Sequence, residues 1–234
     1  MRGLGDNFHY TQTECGLIRA ALNSLTAELR AAKKKFDAAE EDARTAKFTV
    51  NDDGSVTYPP GGKEVDGKTP EGGTVTGTVK GKPTGKPLDS TAVANDLAES
   101  VSRQAENFQQ NPHRSKAIEI ADRIAEALDE ATKADEKWAP KLRGLKADDD
   151  LHVSRKDWMD VKRDMQIVRK GAGKYLKPPK KGSPKENAKW WKSLSQEERD
   201  DYIALHPASI GAMDGLPATV RDEANRTVLA EAKA

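Results

Sequence analysis

Apolar residues recur three and four apart through Cys15, Ile18, Leu22, Leu25, Leu29, Ala32, Phe36, Ala39, Ala43 and Ala46. This is the a/d repeat of a helix that lays one narrow stripe against another helix. Between these positions Glu28, Arg30, Lys33, Lys34, Lys35, Asp37, Glu40, Glu41, Asp42 and Arg44 form a solvated face. The stripe passes from leucine to alanine, so a partner helix can approach more closely toward residue 46. A helix with so narrow an apolar face depends on a partner. The next region offers one, because Asp89 and Ser90 can cap a helix carrying Val93, Leu97, Val101 and Phe108. Asn111-Pro112 suits a further helix start, after which Ala117, Ala121, Ile124, Leu128, Ala131 and Trp138 resume the spacing until Pro140 and Gly144 close it. The expected docking seam sets Ile18, Leu22, Leu25, Leu29 and Phe36 against Val93, Leu97, Val101 and Phe108, with Ile124 and Leu128 extending it. Cys15 is expected to be buried at its start as a small hydrophobe. Another helix is predicted from Ser154, in capping-box spacing with Asp157, through Trp158, Val161, Met165 and Val168.

Glycine and proline divide the chain. Residues 48–88 hold 9 of the 18 glycines and 5 of the 12 prolines. From Phe48 to Tyr58, β-formers alternate on either side of Asp53-Gly54, a hairpin signal. Residues 61–88 are too rich in glycine to predict a strand and read as an arm. A second break, GAGKYLKPPKKGSPKEN, spans 171–187. The expected fold is therefore mainly α. A long antiparallel helical hairpin or bundle fills 1–170, with a Gly/Pro-rich β-hairpin insertion at 48–88. A basic linker follows at 171–187, then a compact helical segment at 188–234.

Composition narrows the classes. Leu, Ile, Val and Phe make up only 39 of 234 residues, which disfavours one large core and favours alanine-rich, charge-coated helices. The net charge of +1 implies no nucleic-acid partner. No run of 18 apolar residues occurs, so no stable membrane insertion is expected, and MRGLGDNFHY lacks the apolar core of a signal peptide. The single cysteine excludes an internal disulfide. Neither G-x-S-x-G, H-E-x-x-H, a P-loop nor G-x-G-x-x-G is present. Around NDDG, Thr49 and Pro60 occupy the first and twelfth positions of a would-be calcium loop, which neither can serve. No catalytic, cofactor or metal site is expected. Lys177, Lys180, Lys181 and Lys185 read as a solvated linker.

The C-terminal segment is the most distinctive. Trp190 and Trp191 form an anchor with Leu194, and Ser195 with Glu198 opens a helix that Pro207 stops. Gly215 and Pro217 precede a last helix; Asp214, Arg221, Asp222, Asn225 and Arg226 read as groups that lock the loop to it. This pattern, WW…L…R…HP…IG…DGLPA…RDEANR…L, resembles a segment of actinobacterial secreted proteins and polymorphic toxins. In those it lies between an N-terminal helical secretion module and an α/β-hydrolase-type or toxin domain. The helical hairpin, FTVNDDGSVTYPP and ADRIAEALDEATKADEKW are similar to WXG-type, type VII secretion-associated modules. No W-x-G triplet occurs, so the glycine-rich insertion stands in for that family's turn. The chain ends at Ala234, where a hydrolase sheet would begin. The resemblance implies a non-enzymatic helical interaction module, secreted by a signal-peptide-independent type VII-like route or cytoplasmic before export. Its implied partner is a small helical secretion protein or a downstream toxin or hydrolase domain. Two alternatives stand beside it: a fragment or degenerate member of an α/β-hydrolase-associated protein, and a self-associating coiled-coil subunit of a larger assembly.

Overall fold

The computed structural model describes residues 2–64, 67–79, 82–83, 111–145, 153–173, 176–180 and 182–233. Among them the chain is mainly helical, with a small three-stranded antiparallel sheet as an insertion. The elements run α1 (Arg2–Thr45), β1 (Thr49–Val50), β2 (Val56–Tyr58), β3 (Gly73–Val75), β4 (Thr78–Val79), β5 (Lys82–Pro83), α2 (His113–Gly144), α3 (Arg155–Ala172), α4 (Pro184–Ser193), α5 (Gln196–Leu205), α6 (Pro207–Gly211) and α7 (Ala218–Lys233). They group into two units, one of residues 28–134 and the other of residues 1–27 with 135–234. The division therefore cuts through both long helices. The region carrying Val93, Leu97, Val101 and Phe108, and Asp148 to Asp150, lie outside the described residues.

In the sheet-bearing unit, α1 and α2 run antiparallel, with Lys35 paired to Glu130 and Arg123 to Asp42. Alanines meet at the interface: Ala39 and Ala43 of α1 pack with Ala117, Ile120, Ala121 and Ile124 of α2. Helix α1 ends where Lys47 adopts φ 60° and the Phe48 N–H reaches back to the Ala43 carbonyl at 2.8 Å. That 6→1 closure satisfies an orphan carbonyl and turns the chain into β1. The Asp53-Gly54 turn forms as read, with Gly54 at φ 82°. The Asp53 carboxylate accepts from the Ser55 N–H at 2.9 Å and the Ser55 hydroxyl at 2.6 Å. Alternation then places Val56 and Tyr58 in the core and Thr57 outward, against Thr74 at 2.8 Å.

The glycine-rich stretch departs from expectation, because it supplies β3, paired with β2 in the register Val56↔Val75, and the small β4–β5 ladder. Its glycines serve close approach. A Cβ on Gly77 would lie 1.9 Å from the Ala121 carbonyl oxygen, and one on Gly72 would lie 2.3 Å from that of Tyr58.

In the helical unit, the core gathers Tyr10, Leu17, Ala20, Ala21, Trp138, Trp158, Val161, Met165, Val168, Trp191, Leu205 and Ile210. Three capping boxes start its short helices: Ser154 with Asp157, Ser183 with Glu186, and Ser195 with Glu198. The Ser183 box lies inside the stretch read as linker, so α4 begins earlier than expected. Pro140 does not close α2, which continues for another turn to Gly144. Pro207 ends α5 but also opens α6, a single turn. Gly171 of α3 lies against the Trp138 ring, where a Cβ would come within 2.8 Å of Cη2.

Candidate functional site

Two sets of residues compete for a functional role: the α1 stripe and the C-terminal motif. Along α1 the stripe is only partly the buried face. Beyond Leu29 it is followed closely, since Ala32, Ala39 and Ala43 are buried and Phe36 and Ala46 half-buried. Before Leu29 the buried positions are instead Tyr10, Thr13, Glu14, Gly16, Leu17, Ala20, Ala21 and Ser24. Leu22 is 46% and Leu29 38% exposed, while Ile18 and Leu25 pack at the edge of the core. Cys15, expected to be buried, is exposed.

The reason for the shift is the close crossing of α1 and α5, where a Cβ on Gly16 would meet the Ala204 Cβ at 3.1 Å. The face that turns inward carries Gly16, Ala20, Ala21 and Ser24 beside Tyr10 and Leu17, and the spacing of leucines does not report it. On α2, Ile124 is buried but Leu128 is 44% exposed.

Much of the C-terminal motif is spent on internal contacts. Trp191 is buried, and Trp190 stands edge-on to Tyr202 with ring centroids 5.0 Å apart. Gly215, at φ 92°, lets the loop pass so near Pro184 that a Cβ would strike its carbonyl oxygen at 2.0 Å. Gly211 does the same for Asn225, whose Oδ1 would lie 2.0 Å from a Cβ there. Arg221 pairs with Asp214 at 3.5 Å, and its N–H closes on the Pro217 carbonyl to start α7. Asp222 and Arg226 are exposed.

Several anchors escaped the sequence reading. Asn187, buried, donates to the carbonyls of Gly182 and Asp214 at 3.2 and 2.9 Å and so ties α4 to the Asp214 loop. Asp201, 2% exposed, accepts from Arg19 Nε at 3.0 Å and from Asn23 Nδ2 at 2.9 Å, which fixes α5 to α1. Burial pushes its carboxyl upward, against the pull of those two donors. Arg169 Nε donates to the Leu205 carbonyl at 2.7 Å. His206 and the Leu176 carbonyl lie 2.6 Å apart through Nε2, and burial lowers the imidazole's pKa. A capping pair such as Ser183 and Glu186 could have been found by its spacing; Asp201, in the acidic run QEERDD, carries no such signal.

Chemically, these polar groups are matched to one another across helix junctions. Among the described residues no cluster of three or more His, Cys, Asp or Glu side chains is arranged to hold a metal ion. Nor is any helix there long and apolar enough to cross a membrane. Open clefts of about 610 and 560 Å³ flank Trp158 and the Lys177–Lys180 loop.

Over 54 residues the chain is 44% identical to an uncharacterised protein of Mycobacterium tuberculosis strain H37Rv, and equally to its counterpart in strain CDC 1551. The match covers 23% of this chain and 8% of each relative, so the chain spans less than a tenth of the length of these relatives. No family model matches the chain, and no solved structure does.

Proposed function

We infer that the chain is a non-enzymatic helical interaction module of a type VII-like secreted actinobacterial protein. The observation that carries this reading is the state of α1. Leu22 and Leu29 stay exposed at heptad positions of one 44-residue helix, flanked by half-buried Ile18, Leu25 and Phe36. Large apolar side chains held at that spacing suit an added helix. Each leucine, already more than half covered, would contribute up to about 0.6–1.4 kcal/mol when a partner covers the rest. The C-terminal motif supports the same reading, since Asp214 and Arg221 act as struts. The test is co-expression of the full chain with the small helical proteins of its genomic neighbourhood. A 1:1 complex that Leu22→Gln/Leu29→Gln abolishes is expected; no complex, or one indifferent to those changes, overturns the reading.

A second reading, carried by the resemblance of the C-terminal motif and not by the uncharacterised relatives, is that part of this chain accompanies a hydrolase-type domain. Turnover of a generic ester by the purified chain would put that reading first.

A further inference from the structure

We propose that the cleft beside Trp158 is a second docking site, and that it takes an acidic peptide segment of a protein partner bearing a large apolar side chain. The cleft, about 610 Å³, is formed by α1, the start of α3 and α7. Its floor is aromatic: Trp158 is buried, with His9 tilted against it at 5.3 Å between ring centroids and Tyr10 edge-on at 6.0 Å. Phe8 and Leu229 also line it yet are 70% and 59% exposed. These are among the largest apolar side chains the helical unit leaves in water, and here they lie together on one recess.

Charge selects the occupant. Among the described residues Arg155 and Arg226 line the same cleft, no carboxylate does, and neither arginine has an ion-pair partner. Elsewhere in the unit Arg19 pairs with Asp200 and Asp201, Arg163 with Asp160 and Arg221 with Asp214, while Arg169 and Arg199 donate to main-chain carbonyls. Two unmatched guanidinium groups beside an aromatic floor offer bidentate donors to carboxylates and an apolar seat between them. Arginine and tryptophan are also the side chains that dominate binding at protein interfaces. A bilayer would meet the same chemistry, but it lies flat on a surface, whereas a recess admits an inserted side chain.

The site uses different residues from the α1 stripe, and the test separates the two. The full chain is immobilised and challenged with a random dodecapeptide display library, and in parallel with phosphatidylglycerol vesicles. Enrichment of peptides with an aromatic or leucine side chain among Asp and Glu is expected. Their affinity should fall at least tenfold in Arg155→Glu/Arg226→Glu and about threefold in Phe8→Ala, with unchanged circular dichroism, and should be unaltered in Leu22→Gln/Leu29→Gln. Arg155→Gln/Arg226→Gln, which reverses no charge, should give an intermediate loss. Enrichment of basic or uncharged peptides, no enrichment, affinity indifferent to the arginines, or arginine-dependent binding of vesicles alone would each overturn the proposal.

Discussion

The two units hold alanine-rich helices together by different means. In the helical unit, short helices are capped or pinned by polar side chains that are themselves buried, among them Asp157, Asn187 and Asp201. In the sheet-bearing unit, alanine faces close on one another, a sheet contributes Val56, Tyr58 and Val75 to the same core, and the charged pairs Asp42–Arg123 and Lys35–Glu130 stay toward solvent. The contrast follows from helix length. Two long antiparallel helices repeat the same contact every turn and need few specific anchors. Helices of ten residues present too little apolar surface to fix their own orientation, so a directional hydrogen bond has to fix it.

The largest expected effect tests whether apolar packing dominates in both units despite that difference. Trp138→Ala should cost about 3–5 kcal/mol in the helical unit, and Ile124→Ala about 2–5 kcal/mol in the sheet-bearing unit, since both side chains are fully buried. Urea unfolding of each variant, followed by far-ultraviolet circular dichroism, measures this. A loss near zero for Trp138→Ala would mean that the polar anchors alone hold its unit.

How far this architecture could be read in advance depends on the range of the interaction. Local signals were legible: the long helix, the Asp53-Gly54 turn, the capping boxes at Ser154 and Ser195, and the helix start after Pro217. Signals that need a distant neighbour were not. Gly72 and Gly77 look like flexibility in a sequence, yet each is a place where another backbone passes too near for a Cβ. Leu22 looks like core and is exposed, because α1 crosses α5 at Gly16 and turns inward the face of Gly16, Leu17, Ala20 and Ala21. Asp201 finds Arg19 across 182 positions of sequence. In the candidate site the C-terminal motif was recognised as a lock, but Asn187, its central strut, sat in a segment read as linker.

The next effect is smaller and bears on the anchors themselves. Asp201→Ala leaves the Arg19 and Asn23 donors without their acceptor, so a loss of about 1–3 kcal/mol is expected from urea unfolding. Asp42→Ala removes only a solvent-facing pair and should leave the midpoint within error. Equal losses from the two would erase the distinction between the units.

Acid produces the smallest effect, and its sign should differ between the units. Burial raises the carboxyls of Asp164, Asp201 and Glu231 in the helical unit. A raised carboxyl binds its proton in the folded chain before the unfolded one does, so its contribution to stability grows as pH falls through the folded value. In the sheet-bearing unit the hydrogen bond from Arg123 lowers Asp42, and those from the Ser55 hydroxyl and N–H lower Asp53. A lowered carboxyl stabilises the fold above the ordinary range, and that stabilisation disappears as pH falls through the folded value. Glu186, lowered by the Ser183 N–H and hydroxyl, behaves in the second way within the helical unit, but it is one exposed cap against three buried groups. Between about pH 5 and pH 3, amide protection corrected for intrinsic exchange should therefore fall at Ser55 and Thr57 while holding at Val161 and Leu205. Parallel loss at all four amides would show that the buried carboxyls are already compensated by their donors, and that the units differ in packing alone.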